Sequence, residues 1–193
     1  MDAYTVLWDQ SRCREIKKHG QEGAKLEVLF GGPHSSLPGF RRFGVKAGDL
    51  IYPLHVLKGS VYILGRMKVK RLLPLETYIE EYPEVFAGCE RAAWPYGTLL
   101  NWIGLHPEKH YLAPTCTEEV AIGEEGTGIR FDLLIPPDLL ARMRYRSSRG
   151  ERGIKYVIDG RLVKAISLQG GVYRLSDATA GEFENLFQEN PPL

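Results

Sequence analysis

The densest chemistry in this sequence is cationic. Arg142-x-Arg144-x-Arg146-x-x-Arg149-x-x-Arg152-x-x-Lys155 sets six basic side chains within fourteen residues, with Ser147-Ser148 between them. Guanidinium groups match phosphate oxygens in geometry and charge, so such a run suits a phosphate backbone. An earlier stretch, Arg41 to Arg71, opens with Arg41, Arg42 and Lys46 and sums to +7, and the segment from Arg142 to Lys164 sums to +6. The whole chain is only +1, so the remainder carries −12. Its acid is gathered in Glu76, Glu80, Glu81, Glu84 and Glu90, then in Glu118, Glu119, Glu124 and Glu125. A neutral total therefore does not exclude nucleic acid, because segregated charge produces a one-sided field. The competing reading is that acidic and basic stretches lie side by side and pair on the surface.

Bases call for other side chains. A base taken out of its stack regains interaction on aromatic faces and through hydrogen bonds along its edge. The candidate stacking residues are Trp8, Tyr52, Trp94, Tyr96 and Trp102, and the candidate edge readers are Ser35, Ser36, His55 and Asn101. Asn101 is attractive beside Trp102, since an amide pairs bidentately with a base edge. The candidate phosphate ligands are Arg41, Arg42, Lys46, Arg144, Arg146, Arg149, Arg152 and Lys155. Each has a plainer alternative: tryptophans fill cores, His55 packs inside a barrel, and arginines solvate a surface or favour a helix C-terminus. Alternation by two in Arg142, Arg144 and Arg146 is not a single helical face.

Other chemistries are poorly represented. Cys89, His106, His110 and Cys116 are zinc-competent, yet Pro107 interrupts the His106-x-x-x-His110 spacing and no Cys-x-x-Cys pair anchors a site. The phosphate-cradling, zincin and nucleophile-elbow motifs are absent from the sequence. No metal or cofactor is expected. Three widely spaced cysteines suggest a reducing, cytoplasmic setting, and neither a signal peptide nor a membrane-spanning run is visible.

These residues must be positioned by short elements. Strands are expected at Tyr4–Trp8, Lys25–Phe30, Gly128–Leu134 and Gly171–Leu175. Asp49–Val56 and Val61–Val69, joined at Lys58-Gly59-Ser60, predict a β-hairpin, with Pro53 marking an edge or a bulge. Asp159-Gly160 predicts a second hairpin between Ile154–Ile158 and Leu162–Ile166. Helices are expected from Ser11 to Lys18, from Pro74 toward Tyr82, from Pro136 to Tyr145, and after a Ser176 cap to Phe187. Residues 89–125, rich in proline and aromatics, read as an irregular insertion in one domain spanning 1–193. With 44% hydrophobic and 25% charged residues, that length supports an ordinary globular core. The expected class is α+β: a small, partly open β-barrel with peripheral helices.

Gly48-Asp49, the strand Leu50–Val56 and a second strand carrying Gly65-x-x-x-Val69 resemble the PUA-like superfamily. The closing Tyr173-Arg174-Leu175-Ser176, followed by Glu182-Phe183-Glu184-Asn185-Leu186-Phe187, is similar to the end of its EVE domains. The resemblance implies a barrel that reads nucleic acid: EVE, YTH and SRA domains hold a modified base in a pocket beside the barrel, and PUA domains bind RNA. The expectation is thus a non-catalytic module binding DNA or RNA through an unpaired or flipped, natural or modified base. The alternative is a hydrolase or ribonuclease on the same fold, as in relatives of the ASCH group. A protein-interaction module is a third possibility.

Overall fold

The computed structural model describes residues 1–18, 20–33, 37–83, 89–94, 97–102, 117–169 and 171–191, with backbone alone for 89–94 and 97–102. Strands β1 (Ala3–Leu7), β2 (Val28–Gly31), β3 (Leu50–Leu57), β4 (Ser60–Ile63) and β5 (Met67–Pro74) come from the first half. They are joined in one seven-stranded sheet by β8 (Glu119–Glu124) and β13 (Val172–Arg174), in the order β13-β1-β3-β5-β8-β2, with β4 on β3. Between β5 and β8 lies a separate hairpin of β6 (Cys89–Trp94) and β7 (Gly97–Trp102). Two further hairpins precede β13: β9 (Arg144–Ser147) with β10 (Gly150–Gly153), and β11 (Val157–Ile158) with β12 (Arg161–Leu162). The helices are α1 (Gln10–Lys18), α2 (Leu75–Glu81), α3 (Pro137–Arg142) and α4 (Asp177–Glu189).

The α+β class holds, but the sheet is open and mixed, not a closed barrel. β1 and β3 run parallel, and the other described pairs are antiparallel. Its geometry follows from apolar side chains on both faces. Tyr4, Val6 and Ile51 pack with Cys13 and Ile16 of α1, whereas Ala3, Tyr52 and Leu54 pack with Leu139 and Leu140 of α3 and Phe183 and Phe187 of α4. With a third cluster of Val28, Phe30 and Val120 on Leu75 and Tyr78 of α2, separate cores flank the strands, where a barrel would enclose one.

Several elements depart from the sequence-based expectation for local reasons. The first hairpin is present, but its second strand breaks at Leu64-Gly65-Arg66, so β4 and β5 pair with different stretches of β3. Pro53 sits where the antiparallel partner of β3 changes, a bulge-like place for a residue with no N–H. The helix expected to reach Tyr145 ends at Arg142, and the arginine alternation continues as β9, with Met143 and Tyr145 buried and Arg144 exposed. The period of two was a strand signature. The acidic stretch after residue 117 is no irregular loop: β8 is interior to the sheet, held by β5 and β2. Residues 128–134 make only isolated bridges, Lys25 to Gly128 and Tyr62 to Leu134. Asp9 caps α1 in place of Ser11, its carboxylate accepting the Arg12 N–H at 2.8 Å. Ser176 caps α4 as expected, accepting from the Thr179 N–H.

The Gly48-Asp49 step explains how three strands meet. Gly48 takes φ +89°, a conformation open to glycine, and its N–H donates to the Val69 carbonyl. Asp49 is fully buried, and its carboxylate accepts the Asp2 N–H at 2.8 Å and the Lys46 N–H at 3.0 Å. One side chain thereby fixes the start of β1, the start of β3 and the turn before it. Asp49→Asn keeps the shape but aims an amide NH2 at one of those donors. It is expected to destabilise the fold by about 1–3 kcal/mol in urea unfolding, and an unchanged midpoint would contradict this role.

Candidate functional site

β9 leaves α3 and runs antiparallel to β10, and an isolated bridge from Tyr145 to Leu175 ties it to the end of β13. This brings together two Tyr-Arg steps, Tyr145-Arg146 and Tyr173-Arg174. The two tyrosine rings lie 5.1 Å apart at 39°. Tyr145 is buried, and its Oη shares a 3.1 Å hydrogen bond with Thr5 Oγ1. Burial pushes both phenols above their ordinary range, with the Arg152 guanidinium pulling Tyr173 partly back. Tyr173 lies against the backbone of Gly171, where a Cβ would fall 2.3 Å from the ring.

Around this pair opens a cavity of about 400 Å³, walled by Arg146, Arg152 and Arg174, by Ser147 and Ser148, and by Phe43. A second space of about 240 Å³ shares Tyr145, Tyr173 and Arg152 and adds Lys155. Phe43 is 44% exposed and also lines a third cavity, of about 430 Å³, with Arg41 and Arg42. The two cationic stretches, a hundred residues apart in sequence, thus converge on either side of one phenylalanine.

Their charges are held in different ways. Arg146 donates to Asp177 at 2.7 Å and Arg174 to Asp2 at 2.6 Å, whereas Arg152 has no ion-pair partner among the described residues. The Arg146–Asp177 pair, whose carboxylate is exposed, is worth about 0–1 kcal/mol, so a phosphate can displace it; the Arg174–Asp2 pair is half-buried. Arg42 lies over the Phe43 ring at 5.7 Å. Arg41 donates to the Leu72 carbonyl and lies 3.9 Å from Glu119. Burial raises the Glu119 carboxyl, while N–H groups of Arg41 and Phe40 pull it back. That carboxylate anchors the turn carrying Phe43 and stands beside the basic residues, not away from them.

The structure redistributes the candidate residues. Trp8 and Tyr52 are core residues, 2% and 0% exposed, because both sheet faces are covered; neither offers a face to a base. Tyr52 donates its hydroxyl to Glu184 instead. His55 is 7% exposed, with its ring edge on Phe131. Trp94, Asn101 and Trp102 lie on the β6–β7 hairpin, opposite Gly97, Glu90 and Cys89, and their side chains are outside the described residues. Ser35, Ser36 and Tyr96 are outside them too, as are His106, His110 and Cys116 of the zinc-competent set. Among the described residues, no three His, Cys, Asp or Glu side chains gather as metal ligands.

Of the cationic candidates, Arg146 and Arg152 line the central cavity, Lys155 its neighbour, and Arg41 and Arg42 the space beyond Phe43. Arg144 folds onto the Met143 and Ala141 carbonyls. Arg149 is exposed at the β9–β10 turn, and Lys46 is exposed beside Asp49. Sequence reasoning missed Tyr145, Tyr173, Phe43 and Arg174. A strand reading of the arginine alternation would have put Tyr145 on the inward face. Set against models of known families and against curated proteins, the chain matches none.

His55 adds a pH dependence. Its Nδ1 is buried with no hydrogen-bond partner among the described residues. Burial lowers its pKa below 6.5, helped by the nearby Lys17 ammonium and opposed by a backbone hydrogen bond to Trp8 and by Asp9. The unfolded chain then binds the proton more readily, so stability is complete above pH 6.5 and falls as pH drops toward the lower, folded value. Urea midpoints measured between pH 7.5 and 5 are expected to decline less in His55→Phe than in the parent; parallel declines would remove His55 from the account.

Proposed function

We propose that this chain is a non-catalytic nucleic-acid-binding module of PUA-like type, which accepts an unpaired or flipped base beside Tyr173. One observation carries the reading: a tyrosine pair set among three arginines in a single cavity of about 400 Å³. Such a volume falls within the roughly 300–1,000 Å³ typical of ligand sites. An unpaired base stacks on a phenol ring whatever its identity. The Ser148 hydroxyl, which lines the cavity without a bond to any described residue, is placed to meet a base edge. Arg152, with Arg146 once it exchanges its carboxylate, takes the flanking phosphates, while Arg174 stays on Asp2 as a wall. The features by which the chain resembles PUA-like domains support the same assignment. Gly48-Asp49 holds the turn that follows the one carrying Phe43, and Tyr173-Arg174 of the closing motif lines the cavity.

The test is fluorescence anisotropy with single-stranded RNA, single-stranded DNA and duplex oligonucleotides, bearing natural or modified bases. Single strands are expected to bind with strong salt dependence. Tyr173→Ala is expected to cost about 1–3 kcal/mol, the worth of one base stack. Arg152→Ala is expected to weaken all sequences alike and to flatten the log–log salt slope by about 0.7. No binding to any oligonucleotide at about 50 mM salt would overturn the proposal.

Gly171 supplies a sharper check. The three atoms nearest a methyl group there all belong to the Tyr173 side chain, at 2.3–2.8 Å, so that side chain is the first to move. Gly171→Ala is expected to lower affinity nearly as much as Tyr173→Ala with little change in Tm, and full affinity in this variant would count against stacking on Tyr173.

A further inference from the structure

Away from the cleft, the β11–β12 hairpin and the turn after it expose an apolar face. Val157 pairs with Leu162 and Ile158 with Arg161, and Val163 donates its N–H to the Tyr156 carbonyl, which continues the ladder by one pair. Paired positions share a face and successive ones alternate. Val157 and Leu162 turn into the core beside α3, with Leu162 buried. Tyr156, Ile158 and Val163 remain 48%, 58% and 53% exposed, and Ile166 on the next turn 68%. Exposed apolar side chains gathered in one place mark an interaction surface more often than chance does.

Two observations describe what covers it. Lys58, Arg161 and Lys164 surround the face, and none forms an ion pair among the described residues: Arg161 donates to the Lys58 carbonyl, and Lys164 lies over the Tyr156 ring at 4.8 Å. Asp159 is the one acidic residue between Glu151 and Asp177. A groove of about 270 Å³ opens between the ends of β1 and β3, walled by Ile166, Leu7, Trp8, Val56 and Ala165 and by the polar Asp9, Gln10 and Gln169.

We propose that this face docks an acidic, amphipathic segment of a partner protein, with one aliphatic side chain in the groove and carboxylates on Lys58, Arg161 and Lys164. The cations stand at the hairpin, where the carboxylates would lie, whereas the groove, which Asp9 also lines, takes the uncharged side chain. Of the four exposed apolar side chains only Tyr156 is aromatic, and Lys164 lies over its ring; the branched aliphatic ones offer no stacking surface to a base. Insertion into lipid would lead with Asp159-Gly160 at the hairpin turn, and Gly160 is seated against Pro137, where a Cβ would fall 2.4 Å away.

The experiment pans a displayed library of short random peptides on the intact protein and measures the selected peptides by calorimetry. Selected sequences are expected to combine Asp or Glu with spaced Leu, Ile or Phe. Their affinity is expected to fall about tenfold or more in Ile166→Ser and in the Lys58→Glu/Lys164→Glu double variant. Oligonucleotide binding by Ile166→Ser is expected to stay at the parent level, which separates this face from the cleft. Peptides lacking acidic residues, or undiminished affinity in both variants, would overturn the proposal. So would phosphatidylserine-vesicle binding or self-association in sedimentation velocity that is lost in Ile158→Ser/Ile166→Ser, since each would assign the face to another occupant.

Discussion

Asp49 puts a carboxylate at a fully buried position, and the two N–H groups it accepts come from Asp2 and Lys46. A buried charge is tolerable only when hydrogen bonds replace its water, and here two backbone donors do so. The consequences spread from Asp2. Its carbonyl accepts the Leu50 N–H, its N–H reaches Asp49, and its carboxylate accepts Arg174. The parallel pairing of β1 and β3, the antiparallel pairing of β1 and β13, and one wall of the cleft thus share a single residue. The turn held by the Lys46 N–H follows directly on the one that carries Phe43, whose Gly44 carbonyl Tyr4 Oη reaches at 3.4 Å. Disturbing Asp49 therefore acts on the site through geometry, although it touches no part of the cavity.

Because the sheet is covered on both faces, aromatic residues on its central strands have no route to solvent. Tyr52 shows why. Its ring stands edge-on to Phe183 at 5.3 Å, and its hydroxyl goes to Glu184, which Arg66 also engages. That arrangement clamps α4 to β3 and uses the tyrosine structurally. Aromatic faces open to a ligand can come only from the sheet margin and from loops, and those of Tyr173 and Phe43 do.

Local chemistry was legible in the sequence where one or two residues determine a conformation. Asp159-Gly160 takes the two positive φ values that its hairpin turn requires, 50° and 70°. Ser176 caps α4, and Gly48-Asp49 marks the entry to a central strand. What local pattern cannot carry is pairing between distant strands. β8 is placed by β5 and β2 across more than forty and more than eighty residues, and nothing inside Glu119–Glu124 announces it. Trp8 and Tyr52 were misplaced for the same reason: whether a strand aromatic is open or covered depends on the helices that later pack over it. The cleft was half legible. Its arginines stood out by density, but its tyrosines were hidden among residues that fit a core equally well.

The charge distribution shows how both readings of the sequence hold in different places. From Arg66 to Arg71 the early basic stretch is neutralised apart from Lys70: Arg66 pairs with Glu184, Lys68 with Glu124 and Glu125, and Arg71 with Glu81. Arg142 is likewise held by Glu182 and Asp138. Here acidic and basic segments do lie side by side, and their fields cancel within a few ångströms. Of the described cations left without a carboxylate, Arg42, Arg149 and Arg152 fall at the cleft margin and Lys58, Arg161 and Lys164 around the β11–β12 hairpin, while Arg14 and Lys17 stand on α1 and Lys70 on β5. Net charge is thus the wrong measure for this chain: what a partner meets is set by which cations the fold leaves unpaired, and those of the cleft stand around a tyrosine pair while those of the hairpin stand around a mainly aliphatic face.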